Sequence, residues 1–314
     1  CHQQTATGQA DAGFGVPFEW DLPLLEGYRY EFLPNVSRQP STATFRGCDT
    51  PEIAARIAAG GFDAVIVHGW STKNYWQAMR AGWRQGVPVM VRGDSQLLTP
   101  RSLVKRWAKA LVYPRFLRRF DAYLVVGQRA REYYLAYGAD PRRMFDCPHF
   151  VDNERFASQA DELRPRRAEI RRRWGIPEEA FCAAFCGKFI PKKRPMDLVR
   201  AAAQTQTHRA DGRPIHLLFV GSGELGDAMR RGCHVVYDAE RAAHGSPGAD
   251  GAAASFVGFL NQSEIAAAYV AADALVLASD GGETWGLVVN EAMACGIPAI
   301  VSDRVGCAPD LVTD

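Results

Sequence analysis

A chain of 314 residues is long enough for two domains of ordinary size, each with its own core. Its 47% hydrophobic and 23% charged composition excludes a disordered protein, and a formal net charge of +2 removes any global electrostatic case for a nucleic-acid partner. Eight scattered cysteines, with no CxxC pair and no His/Cys cluster at zinc spacing, are expected to be reduced, mostly buried small hydrophobes in a cytoplasmic protein. The most apolar stretches, such as Asp273–Ser279, are too short to span a bilayer, and no secretory signal is expected before the first domain. The chain opens on Cys1 in Gln- and Gly-rich sequence and closes at Asp314, just after a helical start at Pro309, so it reads as a fragment.

A strand–helix rhythm begins near residue 52. Pro51–Ala59 has helical patterning, and Phe62–His68 is an apolar run suited to a strand buried on both faces of a parallel sheet. Tyr75–Gln85 predicts a helix, Pro88–Arg92 a second strand, Asp121–Val126 a third, and Gln128–Tyr137 another helix. The charged stretch Asn153–Pro177, with Arg164-Pro-Arg-Arg and Arg171-Arg-Arg-Trp174, is expected as a solvated helix at a domain boundary. This gives domains 1–157 and 158–314.

The rhythm then restarts. Strands are predicted at Ala180–Cys186, Ile215–Val220, Ala254–Val257, Ala274–Leu277 and Ala299–Val301. Helices are predicted from Pro195, Leu225, Ser263 (with a capping signal in Ser263 and Glu264) and Gly286. The Gly/Ala/Ser/Pro-rich stretch from Arg241 to Ala254 reads as a surface insertion. Alternation of this kind implies βαβ units and an α/β fold.

Three segments in the second half carry chemistry. In Phe185-Cys-Gly-Lys-Phe-Ile-Pro-Lys-Lys-Arg-Pro195, a strand ends at Gly187 and a loop delivers Lys188 and Lys193 near a helix start. Ligands bind past the carboxyl ends of strands in such sheets, and lysines there can neutralise a diphosphate. Val220-Gly-Ser-Gly-Glu-Leu-Gly226 fits the dinucleotide fingerprint literally, and Gly221 and Gly223 suggest close backbone approach to a ligand. It follows the second strand of its half, where the fingerprint belongs on the first βα turn. In Ser279-Asp-Gly-Gly-Glu283-Thr-Trp-Gly-Leu-Val-Val-Asn-Glu291, one carboxylate sits in a loop and the other inside a helix. The amides around Gly286, Leu287 and Val288 are placed to meet phosphate oxygens.

Glu283 and Glu291, with seven residues between them, match the EX7E motif of retaining glycosyltransferases. The run E-T-W-G-L-V-V-N-E-A-M-A-C-G-I-P resembles glycosyltransferase family 4, as do G-F-L-N-Q-S-E-I at 258–265, G-S-G-E at 221–224 and G-K-F-I-P-K-K-R-P at 187–195. The resemblance implies the GT-B fold: two facing Rossmann-like domains with parallel sheets and an interdomain cleft. It implies that Lys188 and Lys193 hold the donor diphosphate with the Gly187, Gly221 and Gly223 loops, that Glu291 holds the ribose, and that Glu283 holds the transferred sugar. Lys188 stands where the family often has Arg, and Arg194 where a Gly is common. In the first half, Phe62–Gly69 resembles the family's strand ending in an acceptor-side His, which makes His68 a candidate near the reaction centre; His149 is a weaker one. The family's glycine-rich loop after its first strand is expected to precede Cys1.

Residues 101–120 contain Arg101, Lys105, Arg106, Lys109, Arg115, Arg118 and Arg119 with no acid, interleaved with Trp107, Tyr113, Phe116 and Phe120. Such a stretch can meet an anionic membrane surface or a lipid-linked acceptor, or be an amphipathic helix packed on its own domain. The expected function is transfer of a sugar from a nucleotide sugar to a glycan or lipid-linked acceptor hydroxyl, with retention and with no cofactor or metal, since no DxD signature is present where a metal-dependent enzyme needs one. The alternatives are a nucleotide-sugar hydrolase or epimerase, an NAD-dependent oxidoreductase using Gly221, Gly223 and Gly226, and a non-catalytic nucleotide-sugar-binding protein.

Overall fold

The computed structural model describes residues 21–99, 102–206, 212–241 and 251–312. Most of the insertion expected after Arg241, together with Arg101, falls outside them. Among the described residues the chain forms two units, one spanning 25–149 and the other 150–312 together with 21–24.

In the first unit, helix α1 (Ile53–Ala59) leads into strand β1 (Val65–His68), and α2 (Lys73–Gln85) returns the chain to β2 (Val89–Gly93). Helix α3 (Leu103–Leu117), β3 (Ala122–Val125), α4 (Gly127–Ala136) and β4 (Met144–Asp146) complete it. The four strands lie in sequential order, all parallel, with His68 in register with Arg92. Helix α2 ends because Gly86 takes a left-handed conformation (φ 68°) and its N–H meets the Gly82 carbonyl. Met79, Val89, Val91, Phe120, Tyr123 and Tyr134 are fully buried between helices and sheet.

The second unit begins with α5 (Asn153–Leu163) and α6 (Arg167–Arg173), followed by β5 (Phe181–Cys186), α7 (Pro195–Gln206), β6 (Ile215–Val220), α8 (Gly226–Arg231) and β7 (His234–Asp238). Then come β8 (Ala253–Phe256), α9 (Ala266–Ala271), β9 (Ala274–Leu277), α10 (Leu287–Ala294), β10 (Ala299–Val301) and α11 (Ala308–Leu311). The sheet order is β10-β9-β5-β6-β8-β7, all parallel. The chain builds outward from β5 in one direction and later returns to its other side as β9. The order therefore reverses between β5 and β9, the place where open α/β sheets open a ligand crevice. Phe185, Phe189, Phe219 and Phe256 form the centre of the core, with the Phe219 and Phe256 rings stacked at 4.8 Å.

Two expectations are corrected here. The arginine-rich stretch is not a solvated connector: Phe156 and Ala160 are fully buried, and Arg171 is 1% exposed. Arg171 donates to the Ala180 carbonyl at 2.6 Å, Arg167 to Asp273 at 2.8 Å, and Arg164 to the Cys295 carbonyl at 2.8 Å. These bonds, with the packing of α5 on α9 and α10, place residues from Phe150 onward in the second unit, earlier than the expected division at 157/158. Ser263 and Glu264 do not cap α9. That helix starts later, at Ala266, and the Ser263 hydroxyl and N–H both go to the Asp21 carboxylate.

Among the described residues no helix is long and apolar enough to cross a membrane. Among the described residues seven cysteines are free thiols, six of them buried, as small hydrophobes in a core are.

Candidate functional site

At the carboxyl end of β5 the chain turns through Gly187 (φ 139°) into a short 3-10 turn at Pro191–Lys193. Across the strand-order reversal, the loop after β9 runs alongside it. The Asp280 N–H donates to the Lys192 carbonyl at 2.9 Å, and Lys192 Nζ to the Gly282 carbonyl at 3.1 Å. A third loop, after β10, clamps the far side: Gly306 N–H donates to the Glu283 carbonyl at 2.9 Å, and Cys307 N–H to the Trp285 carbonyl at 3.1 Å. Between these loops Lys193 Nζ and Glu283 Oε2 form an ion pair, with side chains only 14% and 11% exposed. Ser279 Oγ lies 3.4 Å from the same carboxylate oxygen. The two residues are ninety positions apart, and only the adjacency of β5 and β9 joins them.

Lys188 leaves the end of β5, and its ammonium is held below the usual lysine range, first by burial and then by Lys192 and Lys193. A loop that gathers three lysines raises the cost of each positive charge, and a bound anion relieves it. Gly286 has φ 99°, and a Cβ there would stand 2.8 Å from Leu277 Cδ2, so the turn into α10 requires glycine. Leu287 and Val288 open α10, where backbone N–H groups have no intrahelical acceptor.

Glu291, in contrast, faces inward. It is 6% exposed, and Tyr269 donates to its Oε2 at 2.6 Å. Burial pushes its pKa up, while Tyr269, Gln262 and Arg155 favour the charged form. The two glutamates of the motif thus engage separate partners, Lys193 for one and Tyr269 for the other.

The glycines of the dinucleotide-like pattern are explained by the chain itself. A Cβ at Gly221 would lie 2.2 Å from the Gly187 carbonyl oxygen, and one at Gly223 2.8 Å from the Phe189 backbone. The Phe189 N–H donates to the Ser222 carbonyl at 2.8 Å and Leu225 N–H to the Phe189 carbonyl at 2.9 Å. The expected close approach is therefore made by the loop after β5, and the pattern lends no support to NAD. Arg194 is the one non-glycine residue among those described with positive φ (51°); it is held by an ion pair with Asp197.

The first unit carries a pocket of about 380 Å³ at the ends of β1 and β2, lined by His68, Arg92, Asp94, Lys109, Tyr133 and His149 among others. Arg92 donates to the Cys147 and Pro148 carbonyls at 3.3 and 3.2 Å and lies 3.2 Å from His149 Nδ1. A guanidinium can only donate, so Nδ1 accepts and neutral His149 carries its proton on Nε2. Desolvation, then the Arg92 charge, holds both imidazoles below the usual histidine range. Lys109 donates to the Tyr133 hydroxyl at 3.0 Å and sits 5.0 Å from the Tyr113 ring centre. Sequence reasoning singled out His68 and His149 but missed Arg92 and Asp94. Their signal was two charged residues at the mouth of a buried apolar strand. Among the described residues, no group of three His, Cys, Asp or Glu side chains could hold a metal ion.

The basic stretch resolves into two parts. Tyr113 and Phe116 pack on Trp70 at 5.6 and 5.3 Å, and Leu117 and Phe120 are fully buried. The first turns of α3 do not pack: Leu103, Val104, Trp107 and Leu111 are 69–78% exposed.

Two parallel α/β units, with a lysine–glutamate pair and a helix N-terminus at the strand-order reversal of the second, define a Rossmann-like α/β class. Comparison with known proteins places it further. Residues 3–145 match the glycosyl transferase 4-like domain, and residues 181–314 match the glycosyl transferases group 1 family. A D-inositol 3-phosphate glycosyltransferase of Actinosynnema mirum is 30% identical over 99% of this chain and 76% of its own. The chain belongs to glycosyltransferase family 4. A D-inositol 3-phosphate glycosyltransferase of Salinispora arenicola is also 30% identical, over 83% of this chain; the chain spans 57% of that relative's length. Among solved structures, HepE of Anabaena in complex with UDP is similar (TM-score 0.57, 15% identity, 84% of this chain and 66% of that one). So is the α,α-trehalose 6-phosphate synthase of Burkholderia multivorans (TM-score 0.58, 14% identity, 83% and 62%). Both likenesses support the GT-B fold.

Proposed function

We propose that this chain supplies the donor and acceptor sites of a retaining glycosyltransferase. The reaction moves a sugar from a nucleoside-diphosphate sugar to an acceptor hydroxyl in glycan, polysaccharide or glycolipid synthesis. The observation that carries the reading is the Lys193–Glu283 pair at the β5/β9 reversal, beside the N-terminus of α10. In this reading the diphosphate displaces Lys193 from Glu283. Lys188, Lys193 and the amides of Leu287 and Val288 then stabilise the charge that develops on the leaving phosphates. These cations and amides supply the counter-charge, so turnover is expected without a divalent metal. Glu283, released from its lysine, hydrogen-bonds the hydroxyls of the transferred sugar. Tyr269 fixes one oxygen of Glu291 and so orients its carboxylate toward the ribose. His68 and the pocket around it receive the acceptor, and the exposed basic start of α3 meets an anionic membrane surface.

UDP is the nucleotide to test first, because HepE was solved with it. D-inositol 3-phosphate is one acceptor to test, because relatives are named for it. The experiment is product analysis by NMR with a panel of nucleotide sugars and acceptors, with and without a chelator. An α-linked product from an α-linked donor, formed in the presence of chelator, supports the proposal. An inverted anomeric centre, or nucleotide-sugar turnover with no acceptor dependence, refutes it.

A further inference from the structure

A second cavity in the first unit adjoins the polar pocket. It is a groove of about 670 Å³ lined by Leu97, Leu98, Leu103, Trp107, Ala110 and Tyr137, with Arg106 at its rim. Its volume lies in the range of built ligand sites, and its walls are mainly aliphatic and aromatic. Tyr137 lines the groove, while Tyr113 and Tyr133 line the pocket. The Tyr137 ring meets theirs edge-on at 5.2 and 4.9 Å. Groove and pocket therefore share an aromatic wall, and Lys109 stands at it, 5.0, 5.4 and 6.0 Å from the three ring centres.

The two cavities have opposite chemistry. Beyond the wall, Arg92 brings a fixed positive charge among His68, Asp94 and His149. On the groove side, Leu103 and Trp107 are 69% and 76% exposed on a helix whose described flanks and body carry Lys105, Arg106, Lys109, Arg115, Arg118 and Arg119 and no acid. Apolar surface held open to solvent in this amount, rimmed by cations, marks a binding surface. A soluble sugar has no use for it. We infer that the groove and the pocket form one bipartite acceptor site, in which an anionic headgroup sits at Lys109 and Arg92 and its hydrocarbon chain lies along Leu97, Leu98, Leu103 and Trp107. The acceptor is thus a lipid phosphate, or a sugar carried on one. Charge complementarity selects this occupant over a neutral glycolipid. This inference rests on the glycosyltransferase reading and narrows its acceptor.

The test is a calorimetric series of butyl, hexyl, octyl and decyl phosphate, each below its micelle concentration, with UDP titrated separately. Burial of each methylene is expected to raise affinity about four-fold until the groove is filled. Trp107→Glu and Leu103→Gln, both at exposed positions that leave the core untouched, flatten the chain-length dependence. Lys109→Met weakens every member of the series. An affinity independent of chain length overturns the inference, as does a dependence that survives Trp107→Glu. So does loss of binding to phosphatidylglycerol-containing vesicles in Trp107→Glu with the alkyl series intact, which makes the face a membrane contact only. UDP binding with a flat alkyl series removes this inference and leaves the transferase reading standing. Absence of binding by UDP or any other nucleotide tested removes the transferase reading itself.

Discussion

Replacing Lys193 by Met removes one charge from a nearly enclosed pair and leaves the buried Glu283 carboxylate without its cation, with Ser279 Oγ at 3.4 Å among its polar neighbours. Breaking a fully buried pair costs about 3–5 kcal/mol. Side chains that keep 14% and 11% of their exposure bring the expected loss down to about 2–3 kcal/mol, because the carboxylate recovers some solvation. Glu283→Gln in the same background removes the uncompensated negative charge at nearly constant shape, so the double variant should regain much of the lost stability. Donor binding should behave differently. A lysine–phosphate bond contributes about 1.5–3 kcal/mol, so nucleoside diphosphate affinity should fall by about 10- to 150-fold in Lys193→Met and stay low in the double variant. Urea midpoints and calorimetric titration separate the two effects. Full recovery of donor affinity together with stability in the double variant would refute the assignment and leave the pair as a brace between two loops.

Other outcomes follow from the same geometry. Gly221→Ala places a methyl 2.2 Å from the Gly187 carbonyl at φ 121°; the βα loops must part, and both the melting temperature and donor affinity should drop, by about 2 kcal/mol or more in stability. Arg194→Gly relieves a left-handed backbone at φ 51° at the expense of an exposed pair with Asp197, so the melting temperature should hold or rise slightly. His216 is 1% exposed, and burial, then Arg171, lowers its pKa to about 4. Ser255 donates its hydroxyl to the Trp174 carbonyl at 2.5 Å and so accepts from His216 Nε2 at 2.8 Å, while Nδ1 has no partner. The unfolded chain binds the proton more readily than the folded one, so this stability is fully present above pH 6.5 and is lost as pH falls toward about 4, on the order of 3 kcal/mol. His216→Asn should flatten the pH dependence of the urea midpoint across that window, and an unchanged slope would contradict it.

Strands buried on both faces were legible because a continuous apolar run has few other uses. Ile215–Val220 and Ala274–Leu277 appear in the structure with the predicted bounds. Two of the edge strands were not: His234–Asp238 is half exposed and Met144–Asp146 leaves two of its three residues exposed, so neither leaves an apolar run to find. The exposed face of α3 was equally hidden. Helical periodicity shows that Leu103, Trp107 and Leu111 share a side, and says nothing about whether anything covers it. The loops bearing Lys193 and Glu283 could be named from their motifs, but the ion pair depends on β9 returning beside β5, a topological fact. The glycines at 221 and 223 were visible as a pattern, whereas their cause is a neighbouring loop from another part of the chain.

The most direct test of the central claim is a calorimetric titration of UDP, GDP, ADP and NAD into the protein and into Lys193→Met. The account predicts that one nucleoside diphosphate binds in preference to NAD and loses at least about ten-fold in affinity in the variant. Binding of NAD, with indifference to all three nucleoside diphosphates and to the substitution, would contradict it.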